Sequence, residues 1–82
     1  MADDRTVRDA FLDTVLNQIE TGDPPETKAT LERLMAEGYS RPHALQAIAA
    51  ALRTEMNRMM SESTPFDNDK YAALLDKIKA EG

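Results

Sequence analysis

Apolar positions along this chain recur every three or four residues, and no stretch shows the strict alternation of a half-buried strand. Val7, Phe11, Leu12, Val15, Leu16 and Ile19 make the first stripe and predict a helix over about 4–21. Asp3, Asp4 or Thr6 can cap its start, and Gly22 follows its end. A second helix, about 24–37, opens on Asp23-Pro24-Pro25-Glu26. Asp23 is expected to cap it, Pro24 to occupy the first turn and Glu26 to complete a capping box. Its apolar face is short, with Leu31, Leu34 and Met35.

The third and fourth helices carry the clearest boundaries. Gly38 can take the left-handed conformation that closes a helix, and Ser40 can cap the next one two residues later. Pro42 then falls in the first turn, where a missing N–H costs nothing. Leu45, Ile48, Leu52, Met56 and Met59 run along the third helix, about 41–61, and Ala44, Ala47, Ala50 and Ala51 widen the stripe. Such breadth puts this helix at the centre of the bundle. Pro65 ends the pattern. Asp67 caps a fourth helix, about 67–80, and Phe66 can fold over Tyr71 as a hydrophobic staple. Tyr71, Leu74, Leu75 and Ile78 form its buried face, while Lys77 and Lys79 suit its C-terminal dipole. An all-α, compact four-helix bundle follows, with residues 1–82 as a single domain.

Composition narrows the function. Eighty-two residues without tryptophan supply one modest core, and the absence of cysteine excludes disulfides, thiol catalysis and cysteine zinc sites. A partner subunit is then the expected staple for so small a chain. No segment approaches a membrane span or signal-peptide order, so a cytoplasmic setting is expected. The net charge of −5 disfavours generic binding to nucleic acid or anionic lipid.

Candidate chemistry is sparse. His43 is the only histidine and lacks ligand partners at helical spacing, with only Glu37 across the turn, so neither a metal site nor a cofactor is expected. Asp9 and Asp13 lie one turn apart among Arg5 and Arg8, an ordinary charged surface. Glu55, Arg58 and Glu62 read as a solvent-facing ladder. With neither a phosphate loop nor a nucleophile motif, no enzymatic activity is expected. Polar and basic residues at Ser40, Arg41, His43, Gln46 and Arg53 sketch a helix–turn–helix-like nucleic-acid adaptor as an alternative. Methionines at 56, 59 and 60, with Phe66, sketch instead an adaptable contact surface for a protein partner or a second copy.

Two resemblances add to this. The span PPETKATLERLMAEGYSRPHALQAIAAALRTEMNRMM, followed by PFDNDKYAALLDKI, resembles a family of small bacterial helical proteins of unknown function, over about residues 24–78. That likeness implies an all-helical fold and a bacterial cytoplasm, with no activity to carry over. Locally, Leu34-Met35-Ala36-Glu37-Gly38-Tyr39-Ser40 with Ala44-Leu45 is similar to the loop of ubiquitin-associated domains. It implies partner gripping by Gly38 and Tyr39. Glu37 puts a charge where that loop has an apolar residue, and the third helix here is longer. A non-enzymatic interaction module is the expectation, with contacts at Gly38, Tyr39, Met56, Met59, Met60 and Phe66.

Overall fold

The structure is a computed structural model that describes the backbone of residues 4–78 and the side chains of residues 10–78. Four helices follow one another: α1 (Asp4–Thr21), α2 (Pro25–Ala36), α3 (Arg41–Glu62) and α4 (Asn68–Asp76). No strand occurs among the described residues. The expected all-α four-helix bundle is the fold. Both α2 and α3 pack against all three other helices, while α1 and α4 make no close backbone approach. The centre is therefore shared by α2 and α3.

Local signals set most of the boundaries. α2 closes in a Schellman motif: the Tyr39 N–H donates to the Leu34 carbonyl at 3.0 Å and the Gly38 N–H to Met35 at 3.2 Å. Gly38 has φ +109° with open space where a Cβ would stand, so backbone conformation alone requires the glycine. Ser40 caps α3, its Oγ accepting from the His43 N–H at 3.3 Å. Asp67 caps α4 by accepting from the N–H groups of Asp69 and Lys70 at 2.9 and 3.2 Å. The Phe66 ring lies 5.6 Å from that of Tyr71, centroid to centroid, which is the expected staple. The proposed caps of α1, at Asp3, Asp4 and Thr6, lie outside the described side chains, as does Val7.

Two helix ends depart from expectation. Asp23 does not cap α2, whose N-cap is the extended Pro24 without a side-chain cap bond. The first-turn proline is Pro25, and Glu26 accepts from Asn68 Nδ2 of α4 at 3.2 Å instead of closing a box. Two consecutive prolines move the start one residue on and push Asp23 out of reach of the free N–H groups. α4 ends at Asp76, short of residue 80, with Lys77 just past it. Lys79 lies outside the described residues. Among the described residues a cation reaches the end of α4 from α2: Arg33 Nη2 donates to the Leu75 carbonyl at 3.0 Å, satisfying an end carbonyl and the helix dipole together.

The buried apolar core is small and built from Val15, Leu31, Leu34, Ile48, Leu52, Tyr71 and Leu75 with Ala44, Ala49 and Ala51. Phe11, Leu12, Ile19, Leu45, Met56, Leu74 and Ile78 pack half-buried around it. Three expected stripe members face solvent, namely Leu16, Met35 and Ala50. Each sits at the edge of its stripe, where the rotation of the helix decides burial. Thr27 and Thr30 complete the short face of α2, at 27, 30, 31 and 34, and both are buried.

α3 ends on Ser63, a non-glycine residue in the left-handed region with φ 52° and ψ 42°. Ser63→Gly relieves that strain at an exposed position. A gain of about 0.5–1 kcal/mol in urea denaturation is expected, after the greater freedom of glycine in the unfolded chain is set against it. An unchanged or lower midpoint would count against strain at this turn.

Candidate functional site

A charged cluster stands inside the bundle. Glu55 is not part of a solvent-facing ladder: it is 1% exposed on the inner side of α3. It falls four residues after Ala51 and seven after Ile48, both buried, so helical periodicity carries it inward. Arg58 grips it as a fork, Nε to Oε1 at 2.7 Å and Nη2 to Oε2 at 2.6 Å. Oε2 also accepts from the Asp67 backbone N–H at 2.8 Å. Arg58 continues outward to Thr64 Oγ1 at 2.8 Å, the Pro65 carbonyl at 3.2 Å and Glu62 at 3.3 Å. Only the Arg58–Glu62 rung fits the expected surface ladder, with Glu62 exposed.

This cluster fixes the turn between α3 and α4. The hydrogen bonds from Arg58 hold the Glu55 carboxyl down at about 2, against the opposing effect of burial, and the Asp67 N–H adds to the lowering. The same bonds raise the Arg58 guanidinium further above its ordinary range.

A second polar cluster joins three helices. Thr27 Oγ1 of α2 donates to Gln18 Oε1 of α1 at 2.8 Å, and Tyr71 Oη of α4 reaches the same oxygen at 3.1 Å. Thr27 and Tyr71 lie 3.1 Å apart, and both are fully buried. Burial raises the Tyr71 phenol, partly offset by its bond to Thr27 and reinforced by the charge of Glu26. The Tyr71–Gln18 bond joins α1 to α4 although their backbones make no close approach. No buried side-chain nitrogen or oxygen among the described residues lacks a partner.

The residues singled out from sequence divide between the two ends of α3, about 30 Å apart. Gly38 and Tyr39 stand at its start, where Tyr39 is half-buried against the core. Met56 and Met59 are half-buried at its far end, and Met56 packs on the core. Met60 is 68% exposed and Phe66 39% exposed. These two leave on different sides. Phe66 shares a shallow depression with Arg58, Pro65, Asn68 and Lys70, whereas Met60 is two residues beyond Arg58, about 160° around the helix. Arg41, His43, Gln46 and Arg53 are all exposed, as is Ser40. His43 and Glu37 belong to no group of three potential metal ligands among the described residues. Asp13 is exposed, while the side chains of Arg5, Arg8 and Asp9 lie outside the described residues.

Periodicity was the available signal for Glu55 and Thr27, both of which continue apolar stripes at helical spacing. Gln18 gives none, because its part depends on α2 and α4 arriving together. Comparison with protein-family models, with curated proteins and with solved structures finds no match.

Because the Glu55 carboxyl is lowered on folding, its contribution to stability is fully present above its ordinary value of 4.5 and disappears as pH falls toward about 2. Glu55→Gln keeps the side-chain shape and removes the charge. The variant is expected to be less stable at pH 7 and to lose less than the native chain between pH 5 and pH 2.5, measured as urea midpoints. Parallel curves for the two proteins would contradict this role.

Proposed function

We propose that this protein is a non-enzymatic interaction module of the bacterial cytoplasm that works by contact with another polypeptide, self-association being one form of it. The observation that carries the proposal is the exposure of Met60 and Phe66 near the end of α3, on a chain whose core is otherwise small and closed. Large exposed apolar side chains favour association, and methionine adapts to varied surfaces. The placement of the polar groups supports the same reading. Glu55, Arg58, Thr27 and Tyr71 are engaged with one another and with backbone, where they fasten helices together. No helix among the described residues is long and apolar enough to cross a membrane, which is compatible with that setting.

Light scattering on the native chain and on Met60→Glu and Phe66→Ser tests the self-associating form. A native dimer that becomes monomeric in either variant supports it; a monomer in all three removes it. Met60→Glu is expected to change unfolding stability by no more than about 0.5 kcal/mol, since its side chain is largely solvated. The module reading as a whole fails if neither variant alters mass or the set of proteins recovered with the chain.

Nucleic-acid binding is a second reading, favoured by the exposure of Arg41, His43, Gln46 and Arg53 along α3. The net charge of −5 opposes it. No mobility shift of a DNA duplex at low salt, where electrostatic binding is strongest, is the expected outcome. A clear shift there would reverse the order of the two readings.

A further inference from the structure

We infer that the outer face of α3 docks an amphipathic helix from a partner protein, one with a carboxylate opposite Arg53 and an apolar side chain against Met60. This rests on the interaction-module reading and names the surface and the chemistry of its partner. His43, Gln46, Ala50, Arg53, Asn57 and Met60 are all exposed and follow helical spacing, so they line one strip about 25 Å long. That strip joins residues that sequence assigned to different surfaces. His43, Gln46 and Arg53 belong to the nucleic-acid alternative and Met60 to the protein-contact one.

Charge sets the strip apart along the sequence. The chain carries 15 acidic residues, yet between Arg41 and Ser61 the only one is Glu55, which is buried and paired. Exposed acids stand elsewhere, at Asp13, Glu20, Glu32, Glu37, Glu62 and Asp76. Arg53 has no acidic partner among the described residues. Ala50 at the middle allows close backbone approach, Gln46 and Asn57 offer amides, and Met60 offers an adaptable apolar end.

These features discriminate among occupants. A second copy laid antiparallel on the strip would bring Arg53 near its own equivalent with no carboxylate on either face, which is unfavourable. Along α3 a polyanion would find only Arg41 and Arg53 as cations outside an ion pair among the described residues, on a molecule of net charge −5. A helix with one or two acids needs only the local complement, because more distant charges are screened beyond about 8 Å at physiological salt.

The test is amide-shift mapping by NMR on the full chain and on Arg53→Glu. The probes are a synthetic Leu/Ala/Gln helix with two glutamates on its apolar stripe, the same helix with lysines there, and a DNA duplex. Arg53 is exposed, so thermal melts are expected to show the variant folded. The glutamate helix should shift amides from Gln46 to Met60. Arg53→Glu should weaken it by about fivefold or more and turn the preference to the lysine helix. Shifts confined to Thr64–Lys70 overturn this inference and leave the module reading standing at Phe66. Shifts in α3 that follow protein concentration alone overturn it in favour of a second copy, and a stronger response to the duplex does so in favour of nucleic acid. No response to either helix at millimolar concentration also overturns it, while scattering and co-purification still decide the module reading.

Discussion

The inward turn of Glu55 is the constraint from which the rest of this structure follows. A carboxylate that is 1% exposed is tolerable only when both its oxygens are engaged, and here two donors of Arg58 and the Asp67 N–H engage them. Meeting that demand fixes residues 64–67, because Arg58 also holds Thr64 and Pro65. The fixed turn presents Asp67 as the cap of α4 and brings Phe66 onto Tyr71. The same rotation of α3 clears its outer side of acid. One buried charge therefore shapes both the last turn of the bundle and the charge of the outer side of α3.

A nine-residue helix has no stability of its own in water, so α4 must be held by what it touches. Tyr71 does much of this. Its ring is fully buried, and its hydroxyl meets Thr27 and Gln18 at the junction of α1, α2 and α4. Each such bond contributes on the order of 1 kcal/mol net, and leaving a buried hydroxyl unpaired would cost more. Arg33 and Glu26 add tethers from α2 to the end and the start of α4. In a core with three alanines and no tryptophan, polar bonds supply the positional detail that larger side chains would otherwise give.

What could be read from sequence was what short segments decide for themselves. Ser40, Asp67 and the Gly38 stop each act through backbone groups a few residues away, and each is found as expected. Asp23 failed for a local reason that was visible, since the second of two prolines takes the first helical position. Glu55 looks like a surface residue by type, but its spacing from Ile48 and Ala51 marks the inside of the helix. Leu16, Met35 and Ala50 lie at stripe edges, where only the arrangement of neighbouring helices assigns a side. The Gln18–Thr27–Tyr71 junction was beyond reach, because residues 53 positions apart in the chain carry no mutual pattern. Of the proposed contacts, an exposed methionine among Met56, Met59 and Met60 was legible from their spread over more than one face, while the separation of Met60 from Phe66 around α3 required the turn that Arg58 builds.

The surface of α3 ties these points to function. A helix that serves as a spine has an inner side set by its neighbours and an outer side answerable only to solvent or to a partner. If solubility alone governed the outer side of an acidic protein, carboxylates would be the cheapest residues to place there. Instead the strip holds an arginine without an acidic partner among the described residues, amides, an alanine and a largely solvated methionine. Methionine is flexible and gains little from water, so its exposure beside uncharged neighbours suits a surface that adapts on contact. The depression at Phe66 is different in kind: it is bordered by Glu62, Asp67, Asp69, Arg58 and Lys70, both signs of charge at close quarters. A contact there would have to displace or match several ions, and its shape is bound to the Glu55 clamp beneath it. The strip makes no such demand, since the side chains of His43, Gln46, Arg53 and Met60 make no hydrogen bond or ion pair among the described residues. On the proposed interaction reading, a binding face is least constrained where stability is indifferent, which favours the outer side of α3 over the turn.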